Sequence, residues 1–142
     1  ETGWMHNRVR MIVASFLVKH LRIHWNEGEK HFKNCLVDYN EASNVAQWQW
    51  VAGCGADAAP YFRIFNPILQ GEKFDKEGLY VKKWVPELSK VPDKFLHKPW
   101  EMELKYQEVI KTIIGKDYPK PIVVHEKARV LALEAFQSLK KK

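Results

Sequence analysis

Cysteine is scarce: Cys35 and Cys54 are the only two, which leaves no disulfide framework and no CxxC metal or redox motif. A reducing, cytoplasmic home is the default reading. Long apolar runs are missing as well. Stretches such as Met11 to Val18 break off well short of the roughly 20 residues a bilayer-spanning helix needs, so no membrane partner is expected. No signal peptide is visible. Acidic residues are the minority, 17 Asp and Glu against 23 Lys and Arg, for a net charge of +6. That balance permits a polyanionic partner without demanding one. Part of the excess is the terminal Lys140-Lys141-Lys142 run, which reads as a solvated tail.

What is present is apolar and aromatic bulk. A 46% hydrophobic and 13% aromatic composition argues against disorder, and 142 residues make at most one ordinary domain. Six tryptophans are many for this length. The opening Glu1-Thr2-Gly3-Trp4 enters a dense motif with no initiator Met, so the chain reads as a fragment of something longer.

The periodicity is helical throughout. From Asn7 to about His24, Val9, Ile12, Val13, Phe16, Leu17 and Leu21 fall at helical spacing. Met11, Ala14 and Val18 lie on other faces, which predicts deep burial. A short helix is expected after Gly28, built on Phe32, Leu36 and Val37. The turn Asp38-Tyr39-Asn40 can cap a helix over Glu41 to Ala52, stopped at Gly53. Asn66-Pro67 predicts a short helix ending near Gly71, and Asp75 can cap another from Lys76 to Trp84, ahead of Pro86. Leu88 to Pro99 reads as surface loop, Pro99 to Ile114 as helix, and His125 to Leu139 as a last amphipathic helix. With no repeat and no alternating strands, the class is all-α.

The segment Asn44 to Ala52 holds Trp48 and Trp50 one residue apart. In a helix Asn44 and Trp48 share a face, while Trp50 points roughly 200° round the axis from Trp48. A strand would put both indoles on one side. The helical pattern admits a polar spot beside an aromatic, and equally two core tryptophans with a surface Asn. His20-x3-His24, with His31 near, has the spacing of a zinc pair but no HExxH frame or Cys cluster, so no metal is expected. Gly53-Cys54-Gly55-Ala56-Asp57 lacks the third glycine of GxGxxG and the lysine of a P-loop, and reads as a tight bend. Basic and aromatic residues interleave at Trp4, His6, Asn7, Arg8 and Arg10, and again at Tyr61, Phe62, Arg63, Phe65, Asn66 and Gln70. Such groups can grip phosphates or stack on bases and flavin rings. An arginine paired with Asp38 or Asp57 explains them as well.

The segments "TGWMHNRVRMIVASFLVKHL", "WQWVAGCGADAAPYFRIFNP", "QGEKFD", "WVPEL" and "YPKPIVVHEKAR" together resemble, in order, the flavin-binding helical domain of the DNA photolyase/cryptochrome family. The likeness covers practically the whole chain and enters partway into that domain, without the antenna domain and first helices. It implies the following roles. Asn44 resembles the residue at N5 of the flavin ring, and Trp48 and then Trp25 resemble the inner links of an electron-transfer chain. Arg10 and Asp38 match a charged pair beside the ring, with Asn40 near its polar edge and Tyr39 among the cofactor-binding positions. Asn40 departs from the Asp usual in the family. Asn7, Arg8, Trp50 and Gln70 match DNA-contacting positions, Trp50 as one wall of the lesion pocket.

The implied cofactor is FAD, active when reduced, and the implied partner is UV-damaged DNA. The implied reaction is light-driven splitting of cyclobutane pyrimidine dimers, with a cryptochrome-type photoreceptor as the alternative. Enzymes for the (6-4) lesion resemble one another in having histidines where Asn7 and Met11 stand, and neither of these donates a proton as that lesion requires. The MHNR and WQW motifs look like those of microbial class I enzymes. The isolated chain is expected to bind flavin weakly, to have little repair activity, and to self-associate through exposed apolar surface.

Overall fold

The computed structural model describes residues 2–54 and 64–140. Among them the regular structure is helical, apart from one isolated bridge between Ile114 and Tyr118. The all-α expectation holds. The residues separate into two compact units, one of Glu1–Phe65 with Val123–Lys142 and one of Asn66–Ile122.

The first unit begins with helix α1, Asn7–Ser15, which runs into a π-helical turn at Phe16–His20. The sequence predicts one helix to His24, but Arg22 takes a left-handed backbone at φ 54°, and the chain leaves the helix at Leu21. Helix α2, Trp25–Cys35, then starts anew. It opens before Gly28 rather than after it, because His24 caps it: the ring Nδ1 accepts the Asn26 amide at 3.3 Å. His6 caps α1 in the same way, accepting the Arg8 amide at 3.2 Å. Histidine is outside the usual set of N-cap residues, so neither start is legible from cap rules.

The deep burial predicted for this region also fails. Val13 is 38% exposed, and the buried face of the two turns consists of Ala14, Ser15, Lys19 and His20. The π turn rotates polar side chains inward. His20 Nε2 lies 2.7 Å from Nδ1 of His125, whose helix α7 (His125–Lys140) docks on this turn, and Phe16 stacks on the His20 ring at 5.1 Å. His20 therefore pairs with a residue 105 positions away and not with His24. Among the described residues no group of His, Cys, Asp or Glu could hold a metal ion.

Helix α3, Glu41–Ala52, matches its prediction at both ends. The Asn40 carboxamide accepts the Ser43 amide at 3.0 Å, and Gly53 closes the helix at φ 76°, a conformation that disfavours any residue with a Cβ. The core of this unit is Ala14, Phe32, Trp48 and Val51, with Met5, Leu17, Val18, Trp25, Leu36 and Trp50 packed on it. Gly53 and Cys54 belong to the predicted bend. Gly55, Ala56 and Asp57, and the cluster Tyr61, Phe62 and Arg63, lie outside the described residues.

The second unit contains α4 (Pro67–Phe74), α5 (Leu79–Trp84) and α6 (Leu104–Ile110), joined by 3-10 turns at Pro86–Leu88, Asp93–Phe95 and Pro99–Glu101. Asn66 caps α4 as expected, but the helix continues past Gly71 to Phe74. Asp75 serves α5 from a distance: the helix starts only at Leu79, and the Asp75 carboxylate accepts the Tyr80 and Val81 amides at 3.1 Å each. The helix expected from Pro99 to Ile114 is shorter, ending at Lys111 with φ 56°. The Leu88–Pro99 stretch is not surface loop: Leu88, Val91 and Leu96 are buried with Met102 as the core of this unit. Its prolines break the helix without removing the apolar side chains, and those side chains decide its burial.

Candidate functional site

A cavity of about 330 Å³ opens in the first unit between α1, α2, α3 and the Leu36–Asn40 turn. Its floor is apolar, made by Met11, Ala14, Phe32, Leu36, Trp48 and Val51. Its rim is polar, with Asn7, Arg10, Asp38, Tyr39, Asn40 and Asn44 among the lining residues. A volume near the low end of the roughly 300–1,000 Å³ typical of ligand pockets suits a ring system, not a whole dinucleotide.

Helical spacing accounts for the α3 wall. Asn44 and Trp48, four residues apart, both line the cavity, and Trp50 is not on its wall. Trp48 and Trp50, one residue apart, thus point to different surroundings as the helical reading predicts. Trp48 is only 2% exposed and meets the Phe32 ring edge-on at 5.0 Å. It is at once a core residue and a cavity wall. Trp50 is half-buried against the same core cluster.

The polar rim is held in place by defined contacts. Arg10 Nη2 donates to both Asp38 carboxylate oxygens at 2.9 Å, and its Nε donates to the Met5 carbonyl at 2.8 Å. The pair brings together two residues named from sequence, and it fixes the guanidinium on two sides. Asn40 lines the cavity while its side chain caps α3, so part of its polar capacity is already committed. The Asn7 amide nitrogen lies 3.7 Å from the Met11 sulfur.

Glu29, on α2, is the residue that sequence reasoning missed. Its carboxylate Oε1 accepts from the Tyr39 hydroxyl at 3.1 Å and from Asn44 Nδ2 at 3.3 Å, and its carbonyl accepts from the same Nδ2 at 3.2 Å. Two oxygen acceptors against one end of the amide fix which end is nitrogen. The Asn44 carbonyl oxygen is thereby left for the cavity. Burial, and then the Glu29 carboxylate beside it, push the Tyr39 phenol above its ordinary value. Glu29 stood among many charges on a half-exposed helix, and no local spacing marked it.

The remaining candidates lie off the cavity. Trp25 packs against the core cluster that contains Trp48. Arg8 is exposed on α1. Gln70 belongs to the second unit, on α4, with its Oε1 buried and without a hydrogen-bond partner.

The cavity chemistry fits a flavin ring system. An apolar floor with an indole accepts a flat aromatic body, an oriented amide oxygen can accept an N–H, and the Arg10–Asp38 pair offers charge at a polar edge. Comparison with known proteins agrees. The model described as the FAD binding domain of DNA photolyase matches residues 1–138. The deoxyribodipyrimidine photo-lyase of Agrobacterium fabrum is 60% identical over 99% of this chain and 29% of its own length. That of Escherichia coli is 54% identical with the same coverage.

Among solved structures, a bacterial class III photolyase from Agrobacterium tumefaciens superposes with a TM-score of 0.93 at 60% identity, over 99% of this chain and 29% of that one. A Synechocystis cryptochrome gives 0.88 at 39% identity, over 94% and 27%. The first of these is described as class III, so the class I likeness read from MHNR and WQW is carried no further. The chain spans under a third of the proteins it matches. A cavity with this wall chemistry, inside a match that runs nearly end to end, has one conclusion: the chain belongs to the family of FAD-binding domains of DNA photolyase.

Proposed function

We propose that this chain is the cofactor-facing part of a deoxyribodipyrimidine photo-lyase, which splits cyclobutane pyrimidine dimers in DNA with light. The observation that carries the reading is the α3 wall, where Asn44 and Trp48 line one cavity beside the Arg10–Asp38 pair. Bound FAD, in its reduced form, supplies on illumination the electron that opens the cyclobutane ring. The chain's own residues bind and orient. Arg10, Asp38, Tyr39 and Asn40 hold the polar edge of the ring system, and Asn44, its amide held by Glu29, presents an oxygen that accepts a proton-bearing nitrogen and stays uncharged. Trp48 closes the floor against water and, with Trp25, forms the route by which the protein returns electrons to its cofactor.

Asn7, Arg8, Trp50 and Gln70 are the proposed contacts to DNA. Arg8 supplies an exposed cation for phosphate, and Trp50 a ring on which an unstacked base can lie. Asn7 and Met11 line the cavity with no histidine among the described lining residues, which favours the cyclobutane lesion over the (6-4) product. A substrate of this kind places the work in the cell interior, where the DNA is.

The test is light-dependent loss of thymine dimers from irradiated DNA, using the full-length protein loaded with FAD. Repair in light and none in darkness is expected. Flavin that responds to light with no loss of dimers overturns the repair reading and favours the photoreceptor reading, to which the likeness to the Synechocystis cryptochrome lends its weight.

A further inference from the structure

Gly28 sits in the middle of α2, where glycine weakens a helix by roughly 0.5–1 kcal/mol relative to alanine. Its backbone is ordinary helix, so no left-handed conformation requires it. The reason lies across the interface. A Cβ on Gly28 would run into Cη2, Cζ3 and Cζ2 of Trp48, the last at 2.6 Å. These are the far atoms of the indole, so the ring lies flush on the α2 backbone.

Trp25, Gly28 and Phe32 fall at i, i+3 and i+7 and form one stripe of α2. Gly28 is therefore a notch between two aromatic side chains, and Trp48 is the knob that fills it, with Phe32 edge-on at 5.0 Å and Trp25 packed on the same cluster. The same two rings, Trp48 and Phe32, also line the cavity. A methyl group in the notch has two outlets: it drives the indole toward the cavity, or it lifts α3 from α2. Either one changes where Trp48 stands relative to both the cavity and Trp25.

We propose that Gly28 is a positioning residue, a notch that sets the seat of the Trp48 indole between Trp25 and the flavin cavity. The inference rests on the reading that these two tryptophans return electrons to the cofactor. An electron leaves the Trp48 indole for the light-excited flavin, and an electron from Trp25 fills the hole on Trp48. The hole passes outward from Trp25 until an added thiol fills it with one electron, releasing its proton to water and leaving a thiyl radical.

The packing half is tested on this chain without cofactor, by thermal unfolding of Gly28→Ala, Trp48→Phe and the double variant. Phe lacks the far ring of the indole. The expected result is a Tm lowered by about 4 °C or more by Gly28→Ala, and a loss under about 2 °C for the same change in the Trp48→Phe background. Equal losses in both backgrounds overturn the notch. Should Gly28→Ala fail to fold, a double variant that folds supports the notch, and one that also fails overturns it.

The electron-transfer half is read as the rate of light-driven flavin reduction in the full-length, FAD-loaded protein with thiol present. Gly28→Ala is expected to slow it by about tenfold, measured per bound flavin. Wild-type protein that shows no light-driven reduction overturns the relay and this inference together. Wild-type reduction that Gly28→Ala leaves unchanged overturns this inference alone.

Discussion

At the scale of single residues, the site is built from side chains whose polar ends are mostly committed before any ligand arrives. Asn44 is the clearest case, with its amide nitrogen shared between two oxygens of Glu29. Hydrogen bonds to charged groups contribute about 1.5–3 kcal/mol each. Glu29→Ala removes the carboxylate bond and leaves the main-chain carbonyl one, and is therefore expected to lower stability by about that amount and to loosen the Asn44 amide. Denaturant unfolding reads the first effect, and faster exchange of the Asn44 side-chain amide protons in NMR spectra reads the second; unchanged exchange would remove Glu29 from the site. The Arg10–Asp38 pair was named from the sequence and is present, whereas Glu29 was not. The difference is physical: a family motif carries Arg10 and Asp38 by position, but Glu29 acquires meaning only when α2 is laid beside α3.

At the scale of elements, two helices of the first unit start on histidine. An imidazole Nδ1 that accepts a backbone amide is a weaker cap than the carboxamide oxygen of asparagine. His6→Asn is expected to raise stability by about 0.5–1 kcal/mol, seen as a shift of the denaturant midpoint with unchanged slope.

The docking of α7 carries a pH dependence. Burial, and then electrostatic coupling to His125, pull the His20 imidazole below its ordinary 6.5, against a smaller upward pull from the Ser15 backbone. Lys19, beside it on the π turn, is itself lowered by burial to about 8. The unfolded chain thus binds a proton at His20 more readily than the folded chain does. The contribution of His20 to stability is fully present above pH 6.5 and falls as pH drops toward the lowered folded value. His125→Gln removes the coupled imidazole and is expected to flatten the decline in Tm between pH 7 and pH 5; an identical decline in the variant rules the pair out as its source.

At the scale of the whole molecule, each compact unit has its own core, Ala14, Phe32, Trp48 and Val51 in one and Leu88, Val91, Leu96 and Met102 in the other. Large apolar side chains remain on the surface of each. Trp4, Leu69, Leu79, Leu104 and Val109 are all more than half exposed. Contiguous apolar surface drives association, so the isolated chain is expected to self-associate, with its sedimentation coefficient rising with concentration. The cavity is sized for a ring system, and the isolated chain is accordingly expected to hold FAD weakly, as titration by flavin fluorescence would show. Concentration-independent sedimentation or tight stoichiometric binding contradicts these two expectations in turn.

Much was legible in the residues alone. Helical spacing, the Asn40 cap and the Gly53 stop determine α3 with its faces, because each is a local preference satisfied within one or two turns. Asn44 and Trp48 share a face for the same reason, and the motif likeness names Arg10 and Asp38. Only the tertiary structure decided that the helix from Asn7 breaks at Leu21, that a proline-rich stretch forms a core, that His20 meets His125 and that Gly28 receives an indole. These depend on contacts between segments far apart in the chain, and in such places packing overrides what each segment prefers by itself.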